Sequence, residues 1–217
     1  MDWTAQVDGY CERLEPGLWA EPWNALTNLA FFFAALWVWR RSEGVMPVRV
    51  LAAILFVIGI GSGLFHTFAT RWAGVADVLP ILGYILAYIY FANRYFWGWS
   101  PLWSGVGTAG FVPYAAATVP LFAQVPGLGS SAGYAPVPLL IFAYAFLLRG
   151  RLPGVARGLA IGAAILCLSI LFRSLDGPLC SAFPLGTHVF WHLLNAVMLG
   201  WMAEVLRRHL AGRGAEG

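Results

Sequence analysis

Histidine is scarce in this chain, and two of its four copies stand four residues apart, at His188 and His192. In a helix this spacing places both side chains on one face, with Cβ atoms about 5–6 Å apart, so the pair can chelate a metal ion. A third histidine, His66, lies in another apolar stretch, with Ser62 one helical turn before it. Three histidines and an open position for water form a catalytic type of zinc site, so the pattern predicts zinc as a cofactor.

Asp77 is the acidic residue best placed to work beside such a metal. Zinc lowers the pKa of its bound water to about 7 and polarises a carbonyl group. The segment His188-Val-Phe-Trp-His192 lacks the glutamate that acts as the base in His-Glu-x-x-His proteases, so the base must come from elsewhere. We therefore assign Asp77 as the general acid–base and Ser62 as a hydrogen-bond donor to the developing oxyanion.

Each of these residues also has a simpler explanation. A histidine within the membrane is commonly a hydrogen-bonded residue of the helix bundle. Asp77 can be the N-cap of its helix, and Ser62, flanked by two glycines, can be a small-residue packing contact. A charged group at the bilayer centre costs roughly 2.5–3.5 kcal/mol. That cost favours a functional site. The depth of the residues in the membrane favours it too, because Ser62, His66, Asp77, His188 and His192 can all lie in one layer near the ends of their predicted spans.

The chain that contains these residues is too apolar for an ordinary soluble domain. Of its 217 residues, 60% are hydrophobic and 11% are charged, and the mean hydropathy is +0.72. Soluble domains are near half apolar and about a quarter charged. The net charge of +3 gives no reason to expect a nucleic-acid partner. The composition predicts an integral membrane protein.

Seven apolar stretches approach the roughly 20 residues that a transmembrane helix needs. We predict an all-α, polytopic membrane protein: a polar, acidic segment at 1–23, a seven-transmembrane helix bundle at 24–206 and a short basic tail at 207–217. The first segment lacks the basic start and apolar core of a cleavable signal peptide, so we expect the first helix to be its own anchor. The breaks between predicted helices fall at charged or Gly/Pro clusters, including Asp176-Gly177-Pro178. The predicted spans are 24–40, 48–69, 75–93, 103–123, 135–149, 155–172 and 186–206.

The arginines predict the orientation. With the N-terminus outside, ten arginines fall on the inner side and three on the outer side, and cytoplasmic loops are the basic ones. We therefore predict an external N-terminus, a cytoplasmic C-terminus, and a histidine site near the outer face. The inner group is Arg40, Arg41, Arg49, Arg94, Arg149, Arg151, Arg157, Arg207, Arg208 and Arg213, and the outer group is Arg13, Arg71 and Arg173.

The three cysteines fall into two groups. Cys11 and Cys180 lie on the predicted outer side, where a disulfide can persist. Their positions favour a bridge, and two thiols that never meet are the alternative. Cys167 lies in the middle of a span and is predicted to be a small core residue.

The motifs together resemble those of the alkaline ceramidases, in a superfamily that includes adiponectin and progestin receptors. The Ser-x-x-x-His, Asp and His-x-x-x-His signatures of that family are similar to Gly61-Ser62-Gly63-Leu64-Phe65-His66, Asp77 and His188-Val-Phe-Trp-His192. Its N-terminal segment resembles Cys11-Glu12 and Ala20-Glu21-Pro22-Trp23-Asn24. The resemblance runs from Cys11 through the seventh span, with the three motifs in order.

The resemblance implies a mechanism and a substrate class. Zinc would be bound by His66, His188 and His192, water activated by Asp77, and the amide polarised by Ser62. The implied reaction is hydrolysis of ceramide, or of a related N-acyl lipid, to a fatty acid and an amine.

The resemblance also bears on the N-terminal segment. It implies a disulfide between Cys11 and Cys180. Animal members bind calcium through N-terminal acids, and Glu12 and Glu21 match two of those ligands. Leu14 stands where an asparagine ligand is expected, and Asp8 is displaced by one position.

Two classes of function compete for this pattern. The first is a zinc-dependent lipid amidase of the membrane. The second is a receptor or transporter in which zinc is structural and its fourth position is closed. An intramembrane protease is disfavoured, because the sequence has neither a Gly-x-Ser-x-Gly elbow nor a His-Glu-x-x-His helix.

Overall fold

Helices form nearly all the regular structure of the chain. The computed structural model describes residues 2–15 and 17–214, and within these ranges nine α-helices follow one another. A π-helical segment, Ala92–Phe96, continues the fourth helix, and a 3₁₀ turn, Gly129–Gly133, precedes the seventh. The α-helices are α1 (Pro22–Thr27), α2 (Leu29–Arg41), α3 (Met46–Phe68), α4 (Arg71–Phe91), α5 (Pro101–Ala109), α6 (Phe111–Phe122), α7 (Pro136–Leu148), α8 (Pro153–Leu179) and α9 (His188–Gly214).

Among the described residues, six helical segments are long and apolar enough to cross a membrane, which agrees with the prediction of a membrane protein. The first predicted span, 24–40, is instead occupied by α1 and α2, which meet at Asn28. With 13 residues, α2 is about 20 Å long, shorter than the roughly 30 Å of a hydrocarbon core. The seven-span count therefore stays a prediction. The six segments are Met46–Phe68, Arg71–Phe96, Pro101–Phe122, Gly129–Leu148, Pro153–Leu179 and His188–Gly212.

Several boundaries differ from the prediction. No break occurs at Asp176-Gly177-Pro178, because α8 continues to Leu179. The predicted basic tail is helical as far as Gly214, and 215–217 lie outside the described residues. Cys167 is exposed on the surface of α8, so its assignment to the core was wrong.

The helices pack around α3 and α9. The third helix lies against α2 and α4, whereas α9 contacts α2, α3 and α8, and α7 packs on α8. The tightest part of this core is fully buried and almost entirely aliphatic. The segment formed by α5 and α6 is peripheral, and of its side chains only Ser104 and Phe111 are buried. The most buried core side chains include Leu51, Leu55, Ile58, Phe96, Leu148, Leu159 and Leu206.

The N-terminal segment, defined here as residues 2–15 and 17–21, lies across the junction between α3 and α4. Its backbone bridges that junction in an extended pairing between Gln6 and Thr70. The first amides of α4, at Arg71 and Trp72, donate to carbonyl oxygens of the segment. These bonds satisfy donors that a helix N-terminus leaves free. A disulfide between Cys11 and Cys180, with the two Cα atoms 5.3 Å apart, fixes the segment to the end of α8 and confirms the predicted pairing.

The two ends of the bundle differ in composition. The histidine end is formed by the end of α3 and the start of α9, where His66 and His188 lie. The ten arginines of the predicted inner group lie in the helices or turns at the opposite end, which we call the basic end. Contacts such as Arg41 with Glu204 and Arg151 with the carbonyl oxygen of Trp97 connect neighbouring helices there.

Candidate metal centre

The three predicted histidine ligands meet at the histidine end of the bundle. One ligand atom from each of His66, His188 and His192 lies within 4.8 Å of the others, and all three side chains are buried. The ring centroids are 4.6–5.1 Å apart. This cluster therefore has the composition and spacing to hold a metal ion.

A buried carboxylate orients His66. The Nδ1 atom of His66 lies 2.6 Å from Oε2 of Glu21, which leaves Nε2 to face the cluster. The other carboxylate oxygen of Glu21 accepts a hydrogen bond from Nε of Arg13 at 2.6 Å. Burial opposes the ionisation of Glu21, but the hydrogen bonds from His66 and Arg13 prevail and hold its pKa below the usual value. Carboxylate–histidine pairs of this kind fix the ring orientation of metal ligands.

A threonine orients His192. The hydroxyl of Thr27 donates to the carbonyl oxygen of Asn24 at 3.0 Å, and Nδ1 of His192 lies 2.8 Å from the same hydroxyl oxygen. A hydroxyl has a single proton to donate, so the bond from His192 must be one in which Nδ1–H donates. This tautomer leaves the Nε2 lone pair of His192 free, and that atom is buried without a partner.

An aspartate and a tyrosine position His188. Asp176 is buried, and its Oδ1 accepts the backbone amides of Thr187 and His188 at 2.7 and 2.9 Å, so it caps the start of α9. The ring of Tyr10 stacks on the ring of His188 with centroids 3.7 Å apart. Burial raises the pKa of the Tyr10 phenol to about 12, so the phenol is protonated at neutral pH. The Nδ1 atom of His188 is buried without a hydrogen-bond partner.

These imidazoles fit a zinc ion. Two buried ring nitrogens, one on His188 and one on His192, have no partner, although buried polar atoms are normally satisfied. His66 is held in the tautomer that presents Nε2. Within the described part of the chain, no fourth His, Cys, Asp or Glu joins the group, so one position of a tetrahedral ion would be open.

Asp77 and Ser62 line one cavity, and another residue of its lining, Phe31, contacts the ring of His192. The cavity has a volume of about 40 Å³ and is lined by both residues, together with Tyr134, Trp191 and Asn195 among others. The Oδ1 atom of Asp77 is buried and has no hydrogen-bond partner. The alternative that Asp77 is an N-cap was wrong, because α4 begins six residues earlier and Thr70 is its N-cap.

Gly61 explains why α3 and α4 approach so closely at this level. A Cβ atom at Gly61 would overlap the backbone carbonyl of Ala76, whereas a Cβ atom at Gly63 would meet nothing. The small-residue contact is therefore made by Gly61, and Ser62 lines the cavity.

A second cavity extends the first toward the middle of the bundle. It has a volume of about 60 Å³ and shares Ile85, Val137, Met198 and Leu199 with its neighbour. The second cavity reaches Tyr88, which lies eleven residues beyond Asp77 on α4. The distance between the two residues along the helix axis is about 16 Å. Apart from three tyrosines, its lining side chains are aliphatic or methionine.

The described residues do not assemble a calcium site from Glu12 and Glu21. The two oxygens of Glu12 accept the backbone amides of Trp23 and Asn24 at 2.6 and 2.8 Å, so this carboxylate caps α1. Glu21 is held between Arg13 and His66, and a calcium ion beside it would face the Arg13 guanidinium. The calcium assignment stays a prediction.

Four residues at the site were not identified from the sequence: Tyr10, Thr27, Asp176 and Arg173. The guanidinium of Arg173 donates to the hydroxyls of Ser130 and Ser131 at 2.8 and 2.9 Å, and it lies 5.9 Å from the ring centroid of Tyr10. It thereby supports the aromatic ring that covers His188. The sequence contains one signal for Asp176: it is an acidic residue twelve positions before His188 and close to Cys180.

Comparison with known proteins adds no family assignment. No protein-family model matches the chain, and no curated protein matches it.

Proposed function

We propose that this protein is a membrane-embedded, zinc-dependent amide hydrolase that acts on an N-acyl lipid of the ceramide type. The observation that most supports the proposal is the pair of unpartnered buried nitrogens on His188 and His192, beside a cavity that contains an unpartnered carboxylate oxygen of Asp77. Buried polar atoms normally have hydrogen-bond partners, so unpartnered ones indicate a place where a ligand or a reacting group binds.

The number of ligands favours an enzyme over a receptor with structural zinc. Structural zinc sites use four protein ligands, whereas catalytic sites commonly use three and keep the fourth position for water or substrate. The cluster offers three histidines, and the described residues contain no fourth candidate in the same group.

The residues suggest how the amide would be cleaved. Zinc in such a site would supply Lewis acidity toward the amide carbonyl and make a water molecule acidic. Asp77 would take a proton from the attacking water and deliver it to the amide nitrogen as the new C–O bond forms and the C–N bond breaks. Ser62 would donate a hydrogen bond to the carbonyl oxygen as negative charge develops there.

The cavities favour a lipid substrate. The cavity beside Asp77 continues into a second one whose lining is nearly all apolar, and together they reach about 16 Å down α4. A long acyl chain matches this lining, and a polar peptide does not. The proposed orientation places the histidine end at the outer face, with the N-terminus outside and the C-terminus in the cytoplasm.

Two measurements on the purified protein test the proposal. Zinc content is determined by elemental analysis, and fatty acid release is followed for a panel of N-acyl lipids that includes ceramide. We expect about one zinc per chain and release from at least one lipid of the panel. His66→Ala, His188→Ala and His192→Ala should each lose both, because a three-ligand site fails when any ligand is removed.

His209→Ala is the matched control. This fourth histidine lies near the basic end of α9, with its ring against Phe96 and its Nε2 near the carbonyl oxygen of Tyr95. It should keep zinc and activity. One zinc per chain without hydrolysis of any N-acyl lipid would favour the receptor or transporter with structural zinc. Full zinc in all three site variants would refute the ligand assignment.

A further inference from the structure

A groove on the outer surface of the bundle runs between α2 and α9, away from the metal centre. Its volume is about 500 Å³. Small residues form its floor, including Ala30, Ala34, Ala196 and Gly200, and Trp37 and Trp201 lie at the end nearest the basic end of the bundle. From Ala30 to Trp37 the groove follows seven residues of helix, or about 10 Å.

Two arginines stand over the two tryptophans. The guanidinium carbon of Arg41 lies 5.2 Å from the ring centroid of Trp37, and that of Arg208 lies 5.5 Å from the centroid of Trp201. The mouth of the groove therefore has an aromatic ring and a cation on each side. Tryptophan and arginine side chains with this arrangement are typical of the headgroup level of a bilayer.

A buried glutamate holds these arginines in place. The carboxylate of Glu204 is 2% exposed and accepts hydrogen bonds from Arg41, Arg207 and Arg208. Arg207 is mostly buried and also lies 3.8 Å from Glu43. Arg41 and Arg208 keep 46% and 60% of their side-chain surface exposed. Each has only Glu204 as an acidic partner among the described residues.

The charges of this cluster do not cancel. Three guanidinium groups face two carboxylates, Glu204 and Glu43, which leaves a net charge of +1. The excess sits on the two exposed arginines at the mouth of the groove. Arg208 binds Glu204 through Nε, which leaves its two terminal amino groups available to a partner at the exposed mouth of the groove. These groups point to an anionic partner.

We infer that the α2–α9 groove binds one anionic phospholipid, with an acyl chain along the small-residue floor and its phosphate at Arg41 and Arg208. Guanidinium groups pair strongly with phosphate, and the two tryptophans suit the glycerol level of a lipid. A lipid with net charge −1 neutralises the cluster, whereas a zwitterionic lipid leaves the excess positive charge in place. This site is independent of the proposed hydrolysis.

The test compares two lipids with identical acyl chains, phosphatidylglycerol and phosphatidylcholine, added to the detergent-purified, delipidated full-length chain. Native mass spectrometry counts bound lipids, and thermal unfolding measures stabilisation. We expect one phosphatidylglycerol to be retained and to raise the melting temperature more than phosphatidylcholine does. The variant Arg41→Gln/Arg208→Gln should lose this preference, with affinity for phosphatidylglycerol falling roughly tenfold.

Two further variants separate the site from general stability. Arg149→Gln removes an exposed arginine at the same end, where it stacks on Phe146, and should keep the lipid preference. Val197→Phe fills the groove from a position that is 59% exposed, so it should fold normally and lose the retained lipid with both arginines intact. Equal binding of the two lipids by the wild type, or an unchanged preference in Arg41→Gln/Arg208→Gln or in Val197→Phe, would overturn the inference.

Discussion

The Nδ1 atom of His192 lies 2.8 Å from Oγ1 of Thr27, and the hydroxyl of Thr27 is already donated to the carbonyl oxygen of Asn24. The backbone of α1 therefore determines which ring nitrogen of His192, 165 residues beyond Thr27, is free to bind a metal. Thr27→Val keeps the shape and removes this acceptor. We expect zinc affinity to fall roughly 10–100-fold, as when other hydrogen-bond partners of metal ligands are removed.

Competition for zinc with a chelator of known affinity measures the effect of Thr27→Val. Thr27→Ser should retain near wild-type affinity, because the hydroxyl remains. Thr67→Val is the control, since the hydroxyl of Thr67 donates to the carbonyl oxygen of Gly63 within α3. Wild-type zinc affinity in Thr27→Val would show that the tautomer of His192 is fixed in another way.

Asp77→Asn separates metal binding from catalysis. The carboxamide keeps the shape of the side chain and cannot act as a general base. We expect zinc content near that of the wild type and hydrolysis lower by roughly 10²–10⁴-fold. Ser62→Ala should reduce hydrolysis less, because polarisation by the metal would remain. Normal turnover in Asp77→Asn would leave this carboxylate with a structural role only and would refute the proposed mechanism.

The buried pair of Arg13 and Glu21 should be strongly coupled in its effect on stability. Both side chains are nearly inaccessible, at 4% and 1% exposure, and Nε of Arg13 is 2.6 Å from Oε1 of Glu21. Glu21→Gln leaves the guanidinium buried without a counter-charge, which costs about 3–5 kcal/mol when a buried pair is broken on one side. The double variant Arg13→Met/Glu21→Gln should recover part of the loss.

A double-mutant cycle on the free energy of unfolding checks this coupling. Arg71→Met is the control, because Arg71 is exposed and lies at the same end of the bundle. Additive effects of the two substitutions at Arg13 and Glu21 would contradict the prediction.

The bridge between Cys11 and Cys180 should be visible on gels. The unreduced chain is expected to migrate faster than the reduced one, because the bond closes a loop across a sequence separation of 169. Cys11→Ser should remove the shift and lower stability by about 2–4 kcal/mol. Cys167→Ser is the control, since that thiol is free. Alkylation of both Cys11 and Cys180 in denatured, unreduced protein would show that the bond is absent in solution.

The orientation prediction can be tested with reporter fusions. Fusions after Arg41, after Gly150 and beyond the end of α9 should report a cytoplasmic location, because they follow the basic end. Fusions at Asp2 and Gly129 should report an external location. The reverse pattern would place the metal centre at the cytoplasmic face.

Features that depend on one stretch of chain were predictable. The predicted span 48–69 nearly coincides with α3 (Met46–Phe68), because apolar length and helical spacing are local properties. The histidine cluster was also predicted, since His188 and His192 share a helix face and His66 lies at a matching depth. The clustering of the three histidines and the disulfide are confirmed.

Features that depend on how helices dock were not predictable. Glu21 was taken for a calcium ligand, and its contact with His66 exists only because the N-terminal segment folds over the end of α3. Thr27 and Asp176 were missed for the same reason, since each acts on a residue of α9 far along the chain. The end of α8 was placed too early because Pro178 was interpreted as a break, although it lies in the last turn of the helix.

The bond between Cys11 and Cys180 also imposes an order on the biogenesis of the protein. The ribosome synthesises the chain from its N-terminus, so Cys11 cannot form this bond until 169 further residues have been added. His188 and His192 emerge only after Cys180. Oxidation can therefore take place as soon as Cys180 emerges, before the last two imidazoles are in place, and it secures the segment that contains Tyr10, the residue that stacks on His188. A metal ion that binds before the disulfide forms would bind while Tyr10 is not yet held over His188. An ion that binds afterwards would bind beneath a ring that the disulfide holds in place.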